Sequence, residues 1–275
     1  MITNETSSGN ANGATNGWRN GTKEHLHVVI ACHIHLWQYF QSQKSSIYNV
    51  QVGGSLGGLM ADLVLKALGH NTTISERNPS PLLQNQGAGI VAGGDTLAFF
   101  KHNKCKRPTA VTSQKRTHLD KSGKAVREEN VKQNMISWDL SYYLLRANFD
   151  SVKNGHRQVP KKEEGGGVAR YEYGHVVTGP EEGEEAGVLY FEHSGTVGTV
   201  GADLVIGADR PSSTVRKMFH PEVQRKLVGC CALRRTARED EASASAKEAF
   251  QERFTFFHAD GIQILAYLIP GTNGY

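Results

Sequence analysis

A glycine-rich turn of sequence GGSLGG occupies residues 53–58, and an acidic residue, Glu76, follows it along the chain. Glycines between a strand and a helix allow a tight bend and let backbone N–H groups approach a pyrophosphate at the positive end of the helix. A carboxylate about 20 residues further on accepts hydrogen bonds from an adenosine ribose and repels a 2′-phosphate. The spacing of Gly53, Ser55, Gly58 and Glu76 therefore predicts a site for a dinucleotide that carries no 2′-phosphate.

Ser55 stands where the usual G-x-G-x-x-G pattern has its second glycine. Serine is the next smallest polar residue, and its hydroxyl can donate to a phosphate oxygen, so the departure is compatible with nucleotide binding. The alternative is that these glycines only allow close packing. The acid at the end of the following strand favours the nucleotide.

The segments after the turn have the pattern of a helix and a second strand. Apolar residues recur at three- and four-residue spacing over residues 59–68, which predicts one apolar helix face. Asp62 and Lys66 lie four residues apart, and we assign them to the polar side of this helix. Gly69 stands where the helix should end, and residues 71–77 form the next predicted strand.

The strand before the turn has two candidates. Residues 25–31, HLHVVIA, have the apolar, β-branched character of a buried parallel strand. Deleting residues 32–51 would join this strand directly to the turn, so we predict an atypical insertion at 32–51, such as a retained intron would produce. The alternative is that residues 46–52, SIYNVQV, are themselves the strand and that 25–31 lie elsewhere.

A second stretch, GADLVIGADRPSSTVRKMF at 201–219, has the pattern of a buried strand that delivers Asp209 to the end of a sheet. The alternative is a capped turn before a helix. Three β-like runs, in 168–179, 186–195 and 200–209, predict an antiparallel meander.

Four other segments complete the predicted elements. Residues 137–150 fit an amphipathic helix with Ser137 as its N-cap, and residues 239–254 also favour a helix. Residues 261–271 form a strongly apolar strand candidate. The basic and polar residues 101–134 show little periodicity and are assigned to a solvated surface.

Composition narrows the class of protein. The chain has 31 basic and 27 acidic residues spread along its length, which gives no reason to expect a nucleic-acid partner. No run approaches the roughly 18 apolar residues of a membrane span, and the four cysteines lack a paired spacing. We therefore expect a cytoplasmic protein with reduced thiols and no membrane span. Residues 1–24, rich in Asn, Gly, Ser and Thr, are predicted to be a disordered tail.

Two clusters of metal- or redox-competent side chains are weaker signals. Cys32, His33 and His35 suggest zinc, but no second ligand pair follows at a typical spacing, so no metal site is predicted. Cys230 and Cys231 could form a vicinal redox pair, which no other feature of the sequence supports.

The two motif-bearing stretches together resemble the FAD-dependent aromatic hydroxylases, the single-component flavoprotein monooxygenases, and within them the 2,6-dihydroxypyridine hydroxylase-like group. GGSLGGLMADLVLKALGHNTTISER resembles their N-terminal FAD motif, and GADLVIGADRPSSTVR resembles their second motif, normally Asp-Gly-x-x-Ser-x-Val-Arg. SWDLSYYLLRANFD and FTFFHADGIQILAYLIPG support the match, which extends from about residue 25 to the end.

The resemblance implies an α/β fold, with a Rossmann-like FAD-binding domain over 25–220 that includes the β-meander and a partial substrate-binding sheet domain over 221–275. It implies FAD as the cofactor, NADH or NADPH as a transient co-substrate and a small aromatic substrate, and it allows a homodimer. The implied FAD contacts are Gly53, Gly54, Ser55, Gly57, Gly58, Glu76, Arg77, Arg146 and Asp209.

Some positions match the family's motifs and others depart from them. Ser213 and Arg216 match the second motif, whereas Arg210 stands where that motif has glycine, a position expected to need a left-handed backbone. Ser141 occupies a usually apolar site. The family's third motif, Gly-Asp-Ala, is absent, which predicts a truncated or mis-spliced member. For His258 in FTFFHADG we favour a structural role over a catalytic one, so the catalytic residues stay unassigned.

The implied activity is hydroxylation of a small aromatic or heteroaromatic ring with NAD(P)H and O2. Two alternatives remain open. One is a catalytically incompetent FAD-binding fragment. The other is an NAD-dependent reductase, which Glu76 permits but the second motif disfavours.

Overall fold

The computed structural model describes residues 27–30, 46–80, 89–102, 109–153, 160, 164–179 and 188–271. The chain folds as two compact units that alternate along the sequence. Unit 1 comprises Met1–Ser80 and Gly165–Lys226, and unit 2 comprises Pro81–Glu164 and Leu227–Tyr275. The predicted functional domains, 25–220 and 221–275, are contiguous segments, whereas each compact unit is assembled from two separate ones.

Fifteen strands and five α-helices lie in the described residues. The strands are β1 (His27–Ile30), β2 (Tyr48–Val52), β3 (Asn71–Glu76), β4 (Gly89–Ala92), β5 (Ala110–Ser113), β6 (Lys115–Leu119), β7 (Ala125–Glu129), β8 (Gln133–Ser137), β9 (Ala169–Tyr173), β10 (Val176–Val177), β11 (Val188–His193), β12 (Thr196–Gly201), β13 (Leu204–Gly207), β14 (Arg253–Ala259) and β15 (Ile262–Ala266). The helices are α1 (Leu56–Ala67), α2 (Gly94–His102), α3 (Trp138–Phe149), α4 (Thr214–Phe219) and α5 (Ala244–Phe250), with a 3-10 turn at Glu239–Glu241.

Unit 1 is built on a five-stranded parallel sheet of order β1-β13-β2-β3-β9. Helix α1 connects β2 to β3 and covers one face, where Ala61 and Leu65 pack on Leu204 and Ile206 of β13. The other face is covered by the antiparallel meander β10-β11-β12 and by α4. The apolar residues of that second interface are Val50, Val52, Val177, Leu189, Val205 and Val215.

The parallel sheet confirms the predicted α/β class, and the structure also decides which segment precedes the glycine turn. Tyr48–Val52 lies there, between β13 and β3, while His27–Ile30 pairs with the opposite side of β13. The alternative prediction is therefore confirmed. The predicted insertion at 32–51 is wrong at its C-terminal end, because residues 48–51 form a central strand. Local apolar character favoured 25–31, whereas direct continuity with the turn favours 48–52.

Helix α1 (Leu56–Ala67) contains most of the apolar pattern of residues 59–68 and begins three residues before it, and the predicted polar side of this helix is partly buried. Gly69 follows the helix with φ +88°, which is the left-handed conformation expected of a C-terminal glycine. The assignment of Asp62 to the polar side is wrong, because Asp62 is fully buried and accepts a hydrogen bond from Asn49 Nδ2 at 2.7 Å. Burial raises the pKa of the Asp62 carboxyl well above its ordinary value, and the bond from Asn49 only partly offsets this.

The three β-like runs predicted as one meander divide between two sheets. The meander itself is β10-β11-β12, whereas β9 and β13 at the two ends of this segment belong to the parallel sheet. Ladder hydrogen bonds to distant strands decide this membership, and short apolar runs carry no information about them.

Unit 2 contains a four-stranded sheet of order β15-β14-β6-β7 and a three-stranded sheet of order β4-β8-β5. Ser137 caps α3 as predicted, since its hydroxyl accepts from Leu140 N at 3.3 Å. The segment 101–134, assigned to a solvated surface, contains β5, β6 and β7, which were not predicted, and most of its described side chains are exposed or half-buried. Cross-strand ion pairs such as Arg116–Glu129, with N and O atoms 3.4 Å apart, let charged residues line these strands.

Several predictions concern residues outside the described ranges, including the disordered tail at 1–24 and the cluster of Cys32, His33 and His35. Cys230 and Cys231 are free and exposed. Among the described residues, no helix is long and apolar enough to cross a membrane, and no three His, Cys, Asp or Glu side chains group as metal ligands would.

Candidate nucleotide-binding site

A cavity lies at the carboxyl ends of β2, β3 and β13 in unit 1. Because these neighbouring strands are parallel, their carboxyl ends share one edge of the sheet, where open α/β sheets bind ligands. The cavity is lined by Val52, Gly53, Gly54, Ser55, Ser75, Glu76, Arg77, His175, Val176, Val177, Ala208, Asp209, Arg210, Ser212 and Thr214.

Three glycines of the turn at residues 53–58 are required by the fold itself. Gly53 has φ +99°, and a Cβ there would lie 2.6 Å from the carbonyl oxygen of Ala208. A Cβ on Gly54 would lie 2.0 Å from the Tyr171 hydroxyl, which donates to Gly54 O at 2.9 Å. A Cβ on Gly58 would lie 2.3 Å from Gly53 O. The packing interpretation of the glycines therefore holds for these three positions.

Contacts within the described chain do not explain why glycine stands at position 57 or why serine stands at position 55. A Cβ on Gly57 would meet no atom of the described chain within 4 Å, so glycine leaves open space at the first turn of α1. Ser55 is the N-cap of α1, yet its hydroxyl makes no capping hydrogen bond, and the first turn holds no acidic residue. The first N–H groups of a helix lack intrahelical acceptors and carry partial positive charge. The start of α1 is thus built to receive an anion.

Glu76 braces the turn through both carboxylate oxygens. Oε2 accepts from Gly54 N at 2.9 Å, and Oε1 accepts from Asn78 N at 2.9 Å. The side chain is 7% exposed at the end of β3 and lines the cavity. Each carboxylate oxygen has a further lone pair, so Glu76 can still accept two ribose hydroxyls while it fixes the turn.

Asp209 reaches the same cavity from β13. Its Oδ2 accepts from Thr214 N at 2.6 Å and from Val215 N at 3.4 Å, which caps α4. Its Oδ1 is buried and has no hydrogen-bond partner within the described part of the chain. A buried carboxylate oxygen without a donor is costly, and a hydroxyl donor from a ligand would satisfy it. The second motif therefore supplies a cavity-lining residue that has one acceptor without a donor in the described part of the chain.

The other residues of the second motif have structural roles. Ser213 accepts from Arg216 N at 2.8 Å and is the N-cap of α4, while Arg216 donates from Nη2 to Pro211 O. Arg210 has φ +73°, so the position predicted to need a left-handed backbone adopts one with an arginine. Arg210 and Arg77 are both exposed where they line the cavity.

His175 is a cavity residue that sequence reasoning missed. Its Nδ1 lies 2.9 Å from Tyr173 O, and since a carbonyl only accepts, Nδ1 is the donor of this hydrogen bond. The ring stacks on His193, with centroids 4.4 Å apart. In the sequence, His175 is marked only by its position shortly after β9. The pairing of β9 with β3, which brings His175 to the cavity, cannot be read from the sequence.

Arg146 and His258 belong to unit 2 and are not among the residues that line the cavity. Arg146 is 1% exposed and is held by Asp150, with Nη2 and Oδ2 2.6 Å apart, and by Tyr142, whose hydroxyl lies 2.6 Å from Nη1. Its proposed contact with flavin remains a prediction. His258 Nε2 lies 2.9 Å from His118 Nδ1, within a stack that includes Phe256. Burial lowers the pKa of His118, which favours the neutral form of that imidazole.

Comparisons with known proteins support the motifs. A family model described as FAD binding domain-like matches residues 227–275. The chain is 27% identical over 221 residues to the 2,6-dihydroxypyridine 3-monooxygenase of Paenarthrobacter nicotinovorans, covering 80% of this chain and 50% of that protein. It matches the structure of 2,6-dihydroxypyridine-3-hydroxylase from Arthrobacter nicotinovorans with a TM-score of 0.65 and 23% identity, over 85% of this chain and 55% of that one. The tetracycline destructase Tet(51) matches with a TM-score of 0.51 and 16% identity, over 83% and 55%.

These matches confirm the resemblance that the two motifs predicted, since the curated relative is a 2,6-dihydroxypyridine 3-monooxygenase. The solved structures share the fold of this chain. The cofactor prediction agrees with the family model, whose description names FAD and which matches a segment outside both motifs and outside the residues that line the cavity. The chain spans about half the length of the relatives it matches.

Proposed function

We propose that this chain binds FAD in the cavity of unit 1. The start of α1 would receive the pyrophosphate, and Glu76 would accept the hydroxyls of the adenosine ribose. The observation that carries the proposal is that Asp209, whose buried Oδ1 has no hydrogen-bond partner among the described residues, lines the same cavity as the glycine turn and Glu76. The start of α1, Glu76 and Asp209 together fit a ligand in which a diphosphate lies between two groups that carry hydroxyls.

Asp209 is also what favours FAD over NAD. A nicotinamide dinucleotide needs only the first turn and Glu76, which together form the usual cradle. A second carboxylate at the end of β13 suits a cofactor whose chain of hydroxyls continues past the diphosphate, as the ribityl chain of FAD does. The chain's homology to a 2,6-dihydroxypyridine 3-monooxygenase points the same way.

The reaction that we propose is hydroxylation of a small aromatic or heteroaromatic ring with NADH or NADPH and O2. When bound, FAD supplies the redox and oxygen chemistry, so the protein needs to bind, orient and shield the ring. Unit 2 offers a surface of suitable chemistry on β6 and β14, where the rings of His118, Phe256 and His258 stack. A neutral histidine there could accept the acidic proton of a hydroxylated ring.

A second candidate function is FAD binding without hydroxylation. The cavity residues described above account for cofactor binding, which does not itself require turnover. The two functions share the cofactor and differ only in turnover.

Flavin binding and turnover can be tested separately. The purified chain is titrated with FAD, and with NADH as a comparator, while flavin fluorescence and the visible spectrum are recorded. We expect one FAD per chain and no comparable binding of NADH in the absence of flavin. Gly57→Ala is the matched variant: its methyl group would meet no atom of the described residues outside its own helix, so weaker FAD binding would report a contact at the start of α1 and not unfolding.

The outcomes separate the candidates. NADH oxidation that requires both FAD and a dihydroxypyridine would support the hydroxylase, and FAD binding without it would support the second function. Stoichiometric NADH binding with no FAD binding would contradict both and favour a reductase.

A further inference from the structure

Strands β1 and β2 flank β13 in the same register. Leu204 pairs with His27 on one side and with Asn49 on the other, and Gly207 pairs in the same way with Ile30 and Val52. β13 thus accepts two parallel neighbours at identical heights. Only the neighbour that also contacts β3 feeds the glycine turn of the proposed FAD site.

Strand β2 lies at the centre of the sheet although two of its buried residues are polar. Asn49 and Gln51 are fully buried and lie on the face covered by α1, beside Asp62 and Gly58. Within the described residues, Asn49 Oδ1, both polar atoms of Gln51 and Asp62 Oδ2 have no hydrogen-bond partner. Buried polar atoms without partners destabilise a fold, and the centre of a parallel sheet normally holds apolar residues on both faces.

The sequence of β1 lacks this defect. If Ala31 were joined to Val52, residues 28–31 would take the register positions that residues 48–51 occupy now. Val29 would then stand at the position of Asn49, and Ala31 at that of Gln51. Every position of the central strand would be apolar, and the glycine turn would follow without a change of register.

We propose that residues 27–31 are an alternative first strand of the nucleotide-binding sheet, able to replace β2 between β13 and β3, and that residues 32–51 are dispensable for folding and for FAD binding. The statement about FAD rests on the proposed function, whereas the statement about folding does not. The juxtaposition that carries both is an apolar edge strand and a polar central strand that lie parallel on either side of β13, with β1 two residues from the register that the joined chain would give it.

The test compares the full chain with a chain that lacks residues 32–51, by thermal unfolding without FAD. We expect the shorter chain to unfold at a temperature higher by roughly 5 °C, because the orphaned polar atoms of Asn49 and Gln51 are gone. A lower unfolding temperature, or failure of the shorter chain to fold where the full chain folds, would overturn the proposal.

A matched control separates polar burial from the shortening of the chain. In the shorter chain, Val29→Asn with Ala31→Gln restores the two polar residues at the same register positions without changing the length. We expect this double variant to lose most of the gain. If it unfolds at the same temperature as its parent, the side chains do not decide the strand and the proposal fails.

Gln51→Val in the full chain tests the same mismatch without any deletion. Both polar atoms of Gln51 lack partners, so valine should raise the unfolding temperature. A fall would contradict the proposed mismatch.

FAD titration of both chains then tests dispensability. Equal or tighter binding by the shorter chain supports the proposal, and loss of binding that the full chain shows overturns it. If neither chain binds FAD, the proposed function fails, and the unfolding temperatures still decide which strand fits the sheet.

Discussion

Two strand-to-helix turns meet at the cavity of unit 1, and they are held in different ways. The first turn, residues 53–58, has glycine at its left-handed position and a carboxylate, Glu76, with both oxygens bonded to backbone N–H groups. The second turn, residues 208–214, has Arg210 in the left-handed conformation and a carboxylate, Asp209, with only one oxygen bonded to backbone. Both oxygens of the carboxylate in the first turn are bonded within the protein, whereas one oxygen of the carboxylate in the second turn has no donor among the described residues.

Because of this difference, changes at Glu76 and at Asp209 should affect the stability of the fold and the affinity for FAD to different degrees. Glu76 is needed to shape its turn as well as to hold a ribose, so its loss should weaken both properties. Asp209 caps α4 with one oxygen, and its other oxygen has no donor among the described residues, so this second oxygen can be changed with little effect on the cap. The variants below test this contrast, from the largest expected effect to the smallest.

Glu76→Ala should have the largest effect. It removes the acceptors for two ribose hydroxyls, which at about 1.5 kcal/mol each predicts roughly a 100-fold loss of FAD affinity. It also frees Gly54 N and Asn78 N, so the unfolding temperature without FAD should fall as well. FAD titration and thermal unfolding measure the two effects. Glu172→Ala on the neighbouring strand β9 is the control, and an equal loss of FAD affinity there would remove the assignment.

Asp62→Asn tests how the buried carboxyl of Asp62, next to the first turn, affects the stability of the fold. Burial raises the pKa of Asp62 in the folded chain, so the stability linked to this group is fully present below its ordinary unfolded pKa and is lost as pH rises through the raised value. Asparagine keeps an acceptor for Asn49 and does not ionise. We expect the variant to be more stable than the parent by roughly 1–3 kcal/mol at pH 8 and to lose that advantage toward pH 4. Urea unfolding across this range measures the difference, and a gap independent of pH would contradict it.

Asp209→Asn should act on binding more than on folding. The amide oxygen can still cap α4, while an amide NH2 replaces the acceptor that faces the cavity. We expect about a tenfold weaker FAD affinity, which corresponds to one lost charge-assisted hydrogen bond. The unfolding temperature without FAD should change little. A large drop in that temperature with unchanged affinity would place Asp209 with the purely structural residues.

Arg210→Gly is expected to have the smallest effect. Arginine at φ +73° is strained, and glycine adopts this conformation freely, so the variant should be more stable by about 1 kcal/mol in denaturant unfolding. The same change at a residue of ordinary φ would destabilise. A destabilised Arg210→Gly would mean that the arginine side chain stabilises the second turn through its own contacts.

Local features were predictable from the sequence, and features that depend on distant pairing were not. The helix after the turn, the left-handed Gly69, the cap at Ser137 and the left-handed backbone at Arg210 each follow from a few neighbouring residues. The convergence of Glu76 and Asp209 was implied only by the family resemblance, because the strand before Asp209 was predicted in an antiparallel meander and lies in the parallel sheet.

The errors concern strands and faces. Residues 25–31 are the better strand by composition, yet β2 holds the centre because it continues directly into the turn. Asp62 was placed in solvent because a charged residue is normally exposed, but the turn and the cap fix the rotation of α1 and bury it against Asn49. His175 was missed because its proximity to Glu76 arises from the pairing of β9 with β3.

Amide hydrogen–deuterium exchange, with and without saturating FAD, tests the central claim most directly, because it locates the bound cofactor along the chain. The account predicts protection concentrated at residues 53–58, at Glu76 and Arg77, and at residues 209–214. Saturating FAD that protects neither turn, or that protects only segments of unit 2, would contradict the assignment of the cavity as the FAD site.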